Sequence, residues 1–95
     1  MNMLVIDVIK RNGRRPNETY DTDKLQRSIR AACLSVRSPE GEAETISKKV
    51  AAAVTTWCEK KATVTSQDIR RITSKQLERY HPEAAYIYQH HRTII

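Results

Sequence analysis

The sequence predicts a small α+β domain, mostly helical, in which an N-terminal β-hairpin and a short third strand cap a bundle of four helices. Three observations carry that expectation. The chain opens on a β-branched, partly alternating run that ends at Asn12-Gly13. From Leu25 onward, apolar residues recur at three- and four-residue steps, the period of helices with one buried face. The helical stretches are separated by Ser-Pro, by a short β-prone segment and by His-Pro. A chain of 95 residues makes one domain, expected over 1–95. At that size it buries about 60–65% of its unfolded surface, so a ligand belongs on or between elements near the surface.

The opening strand is read over 4–11, LVIDVIKR. Asn12-Gly13 then turns the chain, since both residues tolerate positive φ, and Pro16-Asn17 keeps it irregular. Glu18-Thr19-Tyr20 is the returning strand. Asp21 next has the chemistry of an N-cap, a carboxylate that accepts from backbone N–H groups at the positive end of a helix dipole. Leu25, Ile29 and Cys33, with Ser28 and Ala32 beside them, form one face of a helix running to about Val36.

Ser38-Pro39-Glu40 is expected to start the second helix, with Ser38 as cap and Pro39 in the first turn, where no donor is needed. There Ala43, Ile46, Val50, Ala53, Val54 and Trp57 form an amphipathic stripe, with Trp57 as a core anchor. Ala62-Thr63-Val64 is the short third strand. Thr65 and Asp68 have capping-box spacing, and the third helix carries Ile69, Ile72, Leu77 and Tyr80 on one side. His81-Pro82-Glu83 resets the chain for a fourth helix through AAYIYQHHR.

A formal charge of +6 and a pI near 9.6 favour anionic partners. Cys33 and Cys58 lie within apolar stretches, with no CxxC pair and no histidine at ligand spacing, so buried reduced thiols are expected rather than a zinc site or a disulfide. The apolar run Met3–Ile6, broken by Asp7, is too short for a signal peptide or a membrane span. A cytoplasmic protein is expected. Two glycines in the whole chain exclude a glycine-rich phosphate loop. No Ser/His/Asp or Cys/His constellation has a frame, and the adjacent His90 and His91 point about 100° apart. No enzyme is expected.

The segment from Val8 to Leu25 crowds Lys10, Arg11, Arg14 and Arg15 around Gly13. Phosphates can be held without a P-loop where cations converge from separate elements. Lys24 sharpens the question. A cation in the first turn of a helix opposes the macrodipole, a conflict that a bound anion beside it relieves. Charge alone leaves three readings open: a solvated tip, a nucleic-acid contact, or a nucleotide site.

In combination these residues resemble the ATP-cone family, the regulatory nucleotide-binding module of ribonucleotide reductases and of the transcriptional repressor of their genes. The likeness rests on Val8-Ile9-Lys10-Arg11-Asn12-Gly13, a variable tip, and Tyr20-Asp21-x-x-Lys24-Leu25. It continues through VTSQDI (Val64 to Ile69) and AAYIYQHHR (Ala84 to Arg92), covering about residues 5–92. Asn12 stands where Asp is common, the tip is longer than usual, and Arg70 stands where histidine or another polar residue is expected.

The resemblance implies a non-catalytic domain that binds ATP or dATP, with Mg2+, and controls the assembly or activity of a partner such as ribonucleotide reductase. Self-association is a further implied outcome. It implies that Val8 contacts the base through its main chain and apolar surface, that Lys10, Arg11 and Lys24 bind the phosphates, and that Glu18 meets the adenine. Ser66 and Arg70 would border the ligand, with His90 and Arg92 approaching from the last helix. The chain carries neither a reductase catalytic domain nor a cysteine-rich zinc ribbon, and reads as a free-standing cone. The rival reading from another class is a small basic nucleic-acid-binding module, using Arg14, Arg15 and the cations of the fourth helix.

Overall fold

The computed structural model describes residues 7–9, 18–61 and 63–90. Chain order is β1 (Asp7–Ile9), β2 (Glu18–Thr19), α1 (Thr22–Ser35), α2 (Glu40–Glu59), β3 (Thr63–Thr65), α3 (Ser66–Glu78) and α4 (Pro82–His90). β1 lies between an antiparallel β2 and a parallel β3, in the order β2-β1-β3.

This corrects the expected fold class, a β-hairpin plus a third strand capping four helices. The described chain is dominated by helices of 14, 20, 13 and 9 residues, against strands of three, two and three. Only loosely is it α+β. The reason is physical. A strand this short offers about one inward side chain, and in β3 that is Val64, the only buried residue of the strand. Among the residues whose burial is described, every buried apolar one except Val64 lies in a helix. The turn joining β1 to β2, at 10–17, lies outside the described residues.

Helix ends follow local chemistry. Asp21, in extended conformation, accepts from the Lys24 backbone N–H at 3.1 Å and starts α1. At the far end Ser38 N–H donates to the Cys33 carbonyl and Arg37 N–H to that of Leu34. With Arg37 at φ 65° this is a Schellman closure. The cap position of α2 falls on Pro39 rather than on Ser38 and has no side-chain cap bond; the Ser38 hydroxyl, expected to cap, makes no hydrogen bond among the described residues. α3 has the full capping box: Thr65 Oγ1 accepts from Asp68 N–H, and Asp68 Oδ2 accepts from Thr65 N–H. The hydrogen bonds from Thr65 hold the Asp68 carboxyl below its ordinary value. Pro82 opens α4, where its missing N–H is not needed, and the Ala84 N–H reaches His81 Nδ1 at 3.4 Å.

The core joins Leu25, Ile29, Ala32 and Cys33 of α1 to Ala43, Ile46, Val50, Ala51, Val54 and Cys58 of α2. Val64, Leu77, Ala84, Ala85 and Tyr88 complete it. Both cysteines are buried free thiols. Trp57, Ile69 and Ile72 are only partly buried against this core. Tyr80, expected on the α3 stripe, is exposed, because α3 ends at Glu78 and Tyr80 leaves the helical register. Glu44 knits α1 to α2, accepting from Gln26 Nε2 at 3.2 Å and pairing with Arg30 at 3.3 Å.

Candidate functional site

Of the residues singled out in the sequence, Val8 lies on β1, Glu18 on β2, Lys24 on α1, Ser66 and Arg70 on α3, and His90 on α4. β1 and β2 set Val8 opposite Glu18, although only the backbone of these two is described. β1 and β3 run parallel with Val8 beside Val64 and Ile9 beside Thr65. The chain therefore leaves β3 into Ser66, the first residue of α3, at the same end of the sheet at which β1 leads toward Lys10. The register pairs Val8 with Glu18 on one side and with Val64 on the other, and Ser66 follows two residues after Val64.

Lys24 comes from the other end of β2, where Thr19 pairs with Asp7. Lys24 is exposed in the first turn of α1, flanked by the capping Asp21 and by Asp23.

Arg70 and His90 meet differently from expectation. Arg70 Nη1 donates to the Tyr88 carbonyl at 3.1 Å, and its guanidinium lies 5.9 Å from the Tyr88 ring centroid. Arg70 thus joins α3 to α4. Tyr88 itself is 2% exposed and its hydroxyl lies 3.2 Å from Ser28 Oγ on α1. Burial raises its ionisation above the ordinary phenol value. Two residues on, His90 is exposed and packs its ring on Tyr86 with centroids 4.4 Å apart. Tyr86 is 62% exposed. No reading of the sequence picked it out, and the available signal was its position four residues before His90.

A second unforeseen contact ties the start of α1 to α2. Tyr20, on the Tyr-Asp-x-x-Lys motif, places its hydroxyl 2.8 Å from Thr55 Oγ1, which in turn donates to the Ala51 carbonyl at 2.8 Å. Thr22 Oγ1 lies 3.5 Å from the same Thr55 oxygen. The motif tyrosine therefore anchors the helix start that carries Lys24. Lys10, Arg11 and Arg92 lie outside the described residues, as do Arg14, Arg15 and His91.

A family model described as the ATP cone domain matches residues 6–94, nearly the whole chain. The chain belongs to the ATP-cone family. No curated protein and no solved structure matches it. ATP cones are non-catalytic regulatory modules that bind ATP or dATP, so the cone is a nucleotide-binding regulatory domain. Among the described residues, Lys24, Arg70 and His90 have side chains of the type that holds phosphate oxygens. No helix among the described residues is long and apolar enough to cross a membrane.

Proposed function

We propose that this cone binds ATP or dATP, with magnesium, in the cytoplasm and thereby controls the assembly or activity of a partner of the ribonucleotide reductase class. The observation that supports it most is the family match over residues 6–94. In this reading Val8 and Glu18 meet the base. Lys10, Arg11 and Lys24 neutralise the phosphates. Ser66 and Arg70 border the ligand, and His90 and Arg92 close it from α4. Arg70 then serves two ends, since it also carries the Tyr88 carbonyl, so nucleotide binding and the seating of α4 compete for one guanidinium. The regulatory output is a difference in nucleotide affinity between two assemblies, of about 1–3 kcal/mol as coupling energies go.

Thermal unfolding with ATP, dATP, GTP and no ligand, each with magnesium, tests the reading. A ligand at about 100 times its Kd adds about 2.7 kcal/mol, and a domain of this size shifts by about 4–8 °C per kcal/mol. An adenine nucleotide should raise Tm and GTP should not. Lys10→Ala and Lys24→Ala should each shrink the shift, and Arg14→Ala much less. Absence of any shift with millimolar ATP or dATP overturns the reading.

A further inference from the structure

A cleft of about 300 Å3 lies on the opposite side of α3 from Ser66 and Arg70, lined by Trp57, Lys61, Thr63, Val64, Asp68 and Arg71. At about 100° per residue, Ser66 and Arg70 share one sector of α3, while Asp68 and Arg71 share the sector facing away from it. Lys61 Nζ stands 5.4 Å from the centroid of the partly buried Trp57 ring. Arg71 Nη2 is 3.5 Å from Asp68 Oδ1, with the arginine side chain 54% exposed. Since Asp68 Oδ2 already accepts from Thr65 N–H, its carboxylate is committed to the capping box and to Arg71. Lys61 and Arg71 outnumber the one carboxylate of Asp68, so the cleft is net cationic.

The strand beside it adds a backbone edge. β3 is the outer strand of the sheet, and no described strand lies on its far side. Thr65 N–H turns away from β1 to reach Asp68. Residues two apart in a strand present their backbone groups to the same side, so Thr63, which is exposed, also offers its N–H and carbonyl outward along the cleft.

We propose that this cleft docks a short, extended acidic segment of a partner protein. A carboxylate sits between Lys61 and Arg71, a neighbouring apolar side chain rests on Trp57, and the main chain runs beside Thr63 in the manner of an added strand. A peptide fits better than a nucleic acid. The cleft holds one or two side chains rather than a run of phosphates. The site does not depend on nucleotide binding and goes beyond it, giving the domain a surface through which a partner can be held.

Trp57 is the one tryptophan of the chain, so its emission reports on the cleft directly. Titration with a peptide of alternating glutamate and valine should shift that emission and saturate, while the glutamine–valine counterpart should not. Lys61→Glu and Arg71→Gln, both at exposed side chains, should each weaken the glutamate peptide by about fivefold, the scale of one exposed ion pair. Lys49→Glu, which alters net charge outside the cleft, should leave binding unchanged. Equal binding of the glutamine peptide, an equal loss in Lys49→Glu, tighter binding of oligothymidylate, or no saturation at millimolar peptide overturns the proposal. Thermal response to ATP, followed in the same variants, separates the two sites: its absence with peptide binding intact counts against the nucleotide reading alone.

Discussion

Tyr88 concentrates more of the fold than any other side chain. Its ring is core, its hydroxyl meets Ser28 of α1, and its carbonyl holds Arg70 of α3. Ser28 Oγ also donates to the Leu25 carbonyl at 2.7 Å, so it keeps a partner when the tyrosine hydroxyl is removed. Tyr88→Phe should therefore lower stability by only about 1 kcal/mol, the net worth of one hydrogen bond, seen as a lower urea midpoint with an unchanged m-value. Tyr88→Ala, which also opens a cavity, should lose about 3–5 kcal/mol on the scale of large aromatic truncations. At this scale the sequence was partly readable. The pairing of Thr65 with Asp68 and the capping role of Asp21 follow from local chemistry and were legible. The engagement of Arg70 was not, because its partner lies on another helix and only the packing of α3 on α4 brings the two together.

The helix boundaries show which element-level signals survive in a fold. α1, α3 and α4 begin where polar caps or proline stand, since those signals act within one turn. α2 departs from expectation because its cap position falls on Pro39, one residue after Ser38, whose backbone N–H closes the earlier helix. That closure rests on Arg37 in the left-handed region at φ 65°, where an L side chain is strained by roughly 1–2 kcal/mol and glycine is not. Arg37→Gly should raise stability by about 0.5–1 kcal/mol, the strain relief being partly offset by the freer unfolded chain. A Tm higher by several degrees in a calorimetric scan is the expected result. Unchanged or lower stability would show that Arg37 contributes something the closure does not explain.

Across the whole molecule, the balance between helix and strand was the least legible feature. β-branched residues and an Asn-Gly turn announce strands without fixing their length, and the pairing of β1 with β3 depends on the helices between them. The two buried thiols were better marked, by the apolar stretches around them. Burial raises the thiols of Cys33 and Cys58 above an ordinary value of 9.0, and the phenols of Tyr20 and Tyr88 above 10.0. In each case the folded chain holds its proton more tightly than the unfolded one. Their contribution is then complete below the unfolded values and is lost as pH rises through them. Tm should hold steady from neutral pH to about 9 and fall beyond it. Cys33→Ala/Cys58→Ala should start less stable but decline less steeply over the same alkaline range.

The position of β1 between β2 and β3 also dictates an order of events during synthesis. β2 and α1 follow β1 within the first stretch of chain to emerge, but the parallel neighbour of β1 is made only after α2 is complete. Closing so long an intervening segment is slow unless the segment is already compact. The packing of α1 on α2 therefore comes first and carries the two strand ends toward each other. Val8 and Val64 come alongside each other only when β3 docks, so a nascent or truncated chain ending before Thr63 would leave β1 without its parallel neighbour however well its first two helices fold.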